Sequence, residues 1–196
     1  MKTITIKLYE FDELSDSAKE NARQWYRSLP NGFWQDCVIE DCSEIGKILG
    51  ISDMKIGYSG FSSQGDGAHF TGHYRYAPGA LKAIKTVAPR DTELHAIVKN
   101  LQDEQAKHFY KLRADVEHRG HYQHENSTDI SVYDSRDEYG YIGGDAAINI
   151  SEYLRDFMRW VYRSLEGEYN YQNSDGSVGE NIVANEYTFT IDGERL

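Results

Sequence analysis

The sequence predicts an α+β domain, a mostly antiparallel sheet of about six strands with about five helices. Three observations carry this. Segments with the two-residue alternation of half-buried strands are interspersed with segments at the 3.6-residue spacing of amphipathic helices. Neighbouring strand segments are joined by glycine-rich or polar turns, as in hairpins. The chain also lacks the regular strand–helix–strand order of a parallel sheet. With 196 residues, 39% hydrophobic and 13% aromatic, it can bury a core without staples and reads as a single domain over 1–196, with no repeat or low-complexity tract.

Residues 2–9 set Ile4, Ile6 and Leu8 against Thr3, Thr5 and Lys7, which predicts a first strand. Ser17 and Glu20 match a capping box, so a helix is expected to about Ser28, where Pro30-Asn31-Gly32 stops it. Trp34, Val38, Ile45 and Leu49 stripe a second helix closed by Gly50. Residues 54–60 and 68–76 read as a strand pair joined by Phe61 to Gly67. Leu81, Ile84 and Val87 keep helical spacing after Pro78, and Asp91 caps a helix striped by Leu94, Ile97, Val98 and Leu101 that continues loosely to Phe109. Leu112, Ala114 and Val116 return to strand period, which Ile130 and Val132 resume after a polar turn. A polar, glycine-rich loop over Asp134 to Asp145 precedes a long helix with Leu154, Phe157, Met158, Val161 and Leu165 on its buried face. A short helical turn around Ile182 and a last strand through Tyr187, Phe189 and Ile191 end the chain.

Charge narrows the partners. The net charge is −11, of which residues 101–196 carry −10. Such a field repels phosphates and attracts basic surfaces, so direct nucleic-acid binding is disfavoured and a partner protein with a basic surface is expected. The row Arg155, Arg159, Arg163 is a local exception, best read as pairing with carboxylates of its own helix. Cys37 and Cys42 point to different azimuths of one helix, which disfavours a disulfide and fits a reducing bacterial cytosol. No window approaches the ~20 apolar residues of a membrane span, and no long apolar leader opens the chain.

Few residue sets suggest chemistry. His69 and His73 share a strand face and could join a metal site or small metal-dependent enzyme around Gln64 and Asp66. Against this, the histidine spacing matches no usual zinc motif and Arg75 lies beside His73, so exposed strand histidines are the simpler reading and no cofactor is expected. Gln64-Gly65-Asp66-Gly67 suits a tight connection, an anion nest or a presented carboxylate, but lacks the Lys-Ser/Thr of a P-loop. Cys37 lies among carboxylates that oppose thiolate formation. Asp134, Asp137, Glu138, Glu166 and Glu168, with Tyr139 and Tyr141 as aromatic anchors, form the candidate partner-binding set.

Three strings together resemble a family of small, mostly uncharacterised proteins of bacteriophages and prophages. They are Tyr9-Glu10-Phe11-Asp12-Glu13-Leu14-Ser15 followed by Ala18-Lys19 and Ala22; Gln64-Gly65-Asp66-Gly67-Ala68; and Ala184-Asn185-Glu186-Tyr187-Thr188-Phe189 followed by Asp192-Gly193. Some members carry an antitoxin label, and the resemblance implies a mobile-element setting without implying catalytic residues. The expectation is therefore a non-enzymatic phage accessory protein that binds and inhibits a host or competing protein, for instance a defence nuclease or CRISPR complex, by acidic mimicry of nucleic acid, with an antitoxin or the metal-dependent enzyme as the alternatives.

Overall fold

The computed structural model describes residues 5–30, 33–137 and 140–196. They gather into a central unit within 36–166 and a terminal unit that joins residues up to 35 with 167–196. The elements in chain order are β1 (Tyr9–Glu10), α1 (Asp16–Arg27), α2 (Trp34–Leu49), β2 (Ile51–Tyr58), β3 (Ala68–Arg75), α3 (Ala80–Val87), α4 (Thr92–Lys107), β4 (Leu112–His118), β5 (Thr128–Asp134), α5 (Asp145–Gln172), α6 (Asp175–Ala184) and β6 (Thr188–Phe189). The fold is α+β, with every strand pairing antiparallel.

In the central unit the four strands lie in the order β2-β3-β4-β5. Period-two alternation places Ile51, Phe70, Tyr74, Ala114, Val116 and Val132 on one buried face. Helices cover it. Phe70 meets Phe157 of α5 edge-on at 5.9 Å, and Gly46 of α2 leaves room for the Met54 side chain. Gln105 of α4, wholly buried, donates to the Leu112 carbonyl at 2.8 Å and accepts the Leu112 N–H at 3.1 Å, so its amide stands in for a backbone partner where β4 begins. The opposite face carries Lys55, Thr71, His73, Arg75, Arg113, Asp115 and Tyr133, the polar side of a half-solvated antiparallel sheet.

The terminal unit has its own core of Phe11, Leu14, Ala18, Ala22, Val178, Ile182 and Phe189, flanked by Tyr9, Trp25, Tyr26 and Tyr187. β1 pairs with β6 through Tyr9↔Phe189 and Glu10↔Thr188. Trp25 packs edge-on against Tyr187 and Phe189 at 5.1 and 5.5 Å, the geometry that ring quadrupoles favour.

Three readings of the sequence are corrected. The first strand does not run through 5–8, which are irregular, with Ile6 and Leu8 exposed, because its partner among the described residues, β6, offers two residues; residues 2–4 lie outside the described residues. The cap of α1 is Ser15, whose hydroxyl accepts the Ala18 N–H, rather than Ser17. The turn around Ile182 is a ten-residue helix, α6, capped by Ser174, which makes six α-helices among the described residues rather than five.

Candidate functional site

Asp134 and Glu166, two members of the acidic set read from sequence, lie at opposite ends of the central sheet. Asp134 closes β5 opposite Leu112, at one end of the central sheet. Its carboxylate is held by Arg136, whose Nε donates to both oxygens at 2.9 and 3.0 Å, and this ion pair keeps its pKa down at about 2. Tyr141, two-thirds exposed, bridges back to Tyr133 and meets its ring edge-on at 6.0 Å. Asp137 lies in the same loop, between the Asp134 carbonyl that its N–H reaches and Gly140, while Glu138 and Tyr139 lie outside the described residues. Glu166 belongs to the other end of the sheet: one turn before it, Tyr162 donates to the Gly60 carbonyl in the β2–β3 connection, and burial, then the Glu166 charge, raises the Tyr162 pKa. A seven-residue strand separates the two ends by about 20 Å. Glu168 falls in the terminal unit and accepts a hydrogen bond from Gln172.

The Gln64–Gly67 loop is built to turn the chain. Asp66 accepts the N–H groups of Ser62 and Ser63 at 3.0 and 2.7 Å, so its carboxylate is turned onto its own loop, and these bonds lower its pKa. Gly67 packs flush against His124, where a Cβ would come within 2.8 Å of the ring. The two strand histidines part company. His69 is buried and stacked on His118 with centroids 3.9 Å apart, whereas His73 is exposed and donates from Nδ1 to Asp115 at 2.7 Å. Four residues along a strand hold them about 13 Å apart, and no group of three metal-capable side chains occurs among the described residues. The arginine row is largely neutralised: Arg155 and Arg159 pair with Glu152, Arg159 also with Asp156 and Glu125, and Arg163 with Glu93 of α4. Both cysteines are free, and burial pushes the Cys42 thiol up to about 12.

The concave feature of the terminal unit was not anticipated. Two adjoining depressions, about 460 and 350 Å³, share Phe11, Asp12 and Val183 and form one groove. Phe11 and Gly179 make its floor; the missing side chain at Gly179 lets the Phe11 ring approach, a Cβ there lying 3.3 Å from Cε1. Val183 and Ala184 of α6 make one wall, and Tyr187 and Thr188 one end. Four exposed carboxylates rim it: Glu10, Asp12, Glu180 and Glu186. Among the described residues no Lys or Arg forms an ion pair with any of the four, although Lys19 and Arg23 of α1 lie over the Phe11 ring at 5.8 and 5.5 Å. Glu10 is half engaged, its carboxylate accepting the Glu13 N–H in a reciprocal cap. Local sequence carries little sign of this groove, because its two sides come from residues 10–12 and 179–188. The one signal was that two of the three strings of the phage resemblance contain these residues.

A family model described as a domain of unknown function, DUF8835, matches residues 34–175. The chain belongs to that family. The DUF8835 match includes the whole central unit, whereas all of the groove residues lie outside it. No curated protein and no solved structure matches the chain.

Proposed function

We propose that this DUF8835 protein is a non-enzymatic binding protein that docks a basic, partly apolar segment of a partner protein in the groove of the terminal unit. The groove supports this because four exposed carboxylates, without cationic partners among the described residues, surround an apolar floor. Opposite charge steers association and sets register, while an apolar anchor on Phe11 and Val183 supplies the desolvated contact that lasting complexes need. The resemblance to phage and prophage proteins supports a bacterial host partner, and a defence nuclease or CRISPR complex has the required basic nucleic-acid groove. The acids of the Asp134 loop contribute less on this reading, since Asp134 is already neutralised by Arg136.

Affinity capture from bacterial lysate tests the reading with the wild-type chain, a Glu10→Lys/Asp12→Lys/Glu180→Lys/Glu186→Lys variant and an Asp134→Lys/Asp137→Lys variant. A partner held at about 0.05 M salt and released at about 0.5 M is expected, since the Debye length falls to a few ångströms. The rim variant should lose it and the loop variant keep it. Loss only in the loop variant would return the interface to Asp134 and Asp137, and capture unaffected by either would remove charge recognition.

A further inference from the structure

At the Asp134 end of the central sheet lies a cleft of about 270 Å³ lined by Arg75, Tyr76, Tyr110, Lys111, Arg113 and Ser135, with Leu112 beneath. Its charge is opposite to that of the whole molecule. Arg75 and Arg113 are cross-strand partners on the open face of the sheet, which puts their Cβ atoms about 5 Å apart, an arrangement that costs stability unless something negative sits between them. No carboxylate among the described residues pairs with Arg75, Lys111 or Arg113. Two carboxylates of the adjoining strand positions are already engaged, Asp115 with His73 and Asp134 with Arg136. The Nε of Arg113 is buried without a hydrogen-bond acceptor while its guanidinium lies 5.3 Å over the Tyr133 ring, so the fork is held in place with donor capacity unspent.

The aromatic wall is also fixed. Phe109 and Tyr110 both have left-handed backbone, φ +56° and +60°, a conformation that is unfavourable for side chains of this size. Holding it sets the Tyr110 ring against Tyr76, centroids 4.5 Å apart.

We infer that this cleft binds a small phosphorylated ligand of the nucleoside monophosphate class. The phosphoryl group lies between Arg75 and Arg113 with Lys111 and the Ser135 hydroxyl beside it, and the planar ring lies along Tyr76 and Tyr110. Two neighbouring guanidinium forks in one cleft can match phosphate oxygens bidentately, and the cavity volume suits a ligand of this size. The site does not depend on the groove reading, which concerns the other unit.

Calorimetric titration of the full chain at about 0.05 M salt with adenosine monophosphate, inorganic phosphate and adenosine separates the contributions. One saturable site is expected for the monophosphate, weaker binding for inorganic phosphate and none for adenosine. Arg75→Gln and Arg113→Gln should each weaken the monophosphate by about tenfold or more, with Lys99→Gln unchanged. Backbone amide shifts in the wild-type chain, clustered at Lys111, Arg113 and Ser135 upon phosphate addition, test the site without any variant. Absence of monophosphate binding, or affinity indifferent to both arginine substitutions, overturns the proposal. Binding of single-stranded oligonucleotide without monophosphate binding also overturns it, since the cleft would then read a polymer backbone.

Discussion

Gly193 shows how one residue closes the terminal unit. Its φ is +81°, and a Cβ on it would lie 2.0 Å from the Ala18 carbonyl oxygen, so the chain after β6 can pass α1 only without a side chain. Gly193→Ala should destabilise the terminal unit by roughly 2 kcal/mol or more, combining left-handed strain with displaced backbone. Urea unfolding followed by the fluorescence of Trp25, which packs on Phe189 of that core, reads the loss; an unchanged midpoint would refute the close approach. His69 is a residue-scale pH device of another kind. Burial and the facing His118 lower its pKa to about 4 from 6.5. Between those values the unfolded chain holds a proton that the folded chain does not, so the contribution of His69 is complete above pH 6.5 and is lost as pH falls toward 4. His69→Phe keeps a ring against His118 and should flatten the stability profile over that window; a profile identical to wild type would contradict the buried neutral imidazole.

At the scale of elements, Asp91 ties two helices with one carboxylate. One oxygen accepts the Leu94 N–H at 2.8 Å and caps α4, and the other accepts the Trp160 indole N–H of α5 at 2.7 Å. Asp91→Ala should cost about 2 kcal/mol, a cap plus a part-buried hydrogen bond. Trp160→Phe removes only the second bond, and combining the two substitutions should cost less than their sum, a double-mutant cycle that thermal unfolding can resolve; strict additivity would mean that the Asp91–Trp160 bond contributes nothing. This cap, the stripe from Leu94 to Leu101, both hairpins and the buried face of α5 were legible because each is a local pattern ending in a local signal. α6 was not, since Gly176 and Gly179 dilute its helical signal and its burial comes from packing on Phe11 and Leu14. The edge pair β1–β6 was overextended at both ends because alternation reports what a segment can do, while its length depends on a partner about 180 residues away. The same distance hid the groove. The cationic cleft was closer to legible: Arg75-Tyr76 and Tyr110-Lys111-Leu112-Arg113 are basic-aromatic strings at strand ends, and only the β3–β4 register was needed to bring them together.

Across the whole molecule, two electrostatic effects oppose one another. Ion pairs such as those of Arg159 are favourable and local, but exposed pairs are worth at most about 1 kcal/mol each. The net charge of −11 repels itself over longer distances. Raising salt from about 0.01 to 0.15 M shortens the Debye length from about 30 to 8 Å, which screens the long-range repulsion more than contacts at hydrogen-bond distance. Sodium chloride over that range should therefore raise the melting temperature by about 2–4 °C, corresponding to ~1 kcal/mol for a chain of this size. The groove carboxylates supply part of the uncompensated charge, so Glu10→Gln/Asp12→Gln/Glu180→Gln/Glu186→Gln should melt higher than wild type at low salt and show a smaller salt increment. That outcome would mean the rim is kept at a cost in stability, as expected of residues that serve a partner rather than the fold. A melting temperature that falls with salt would instead assign the balance to the ion pairs, and a rim variant no more stable than wild type would show those carboxylates to be compensated within the chain.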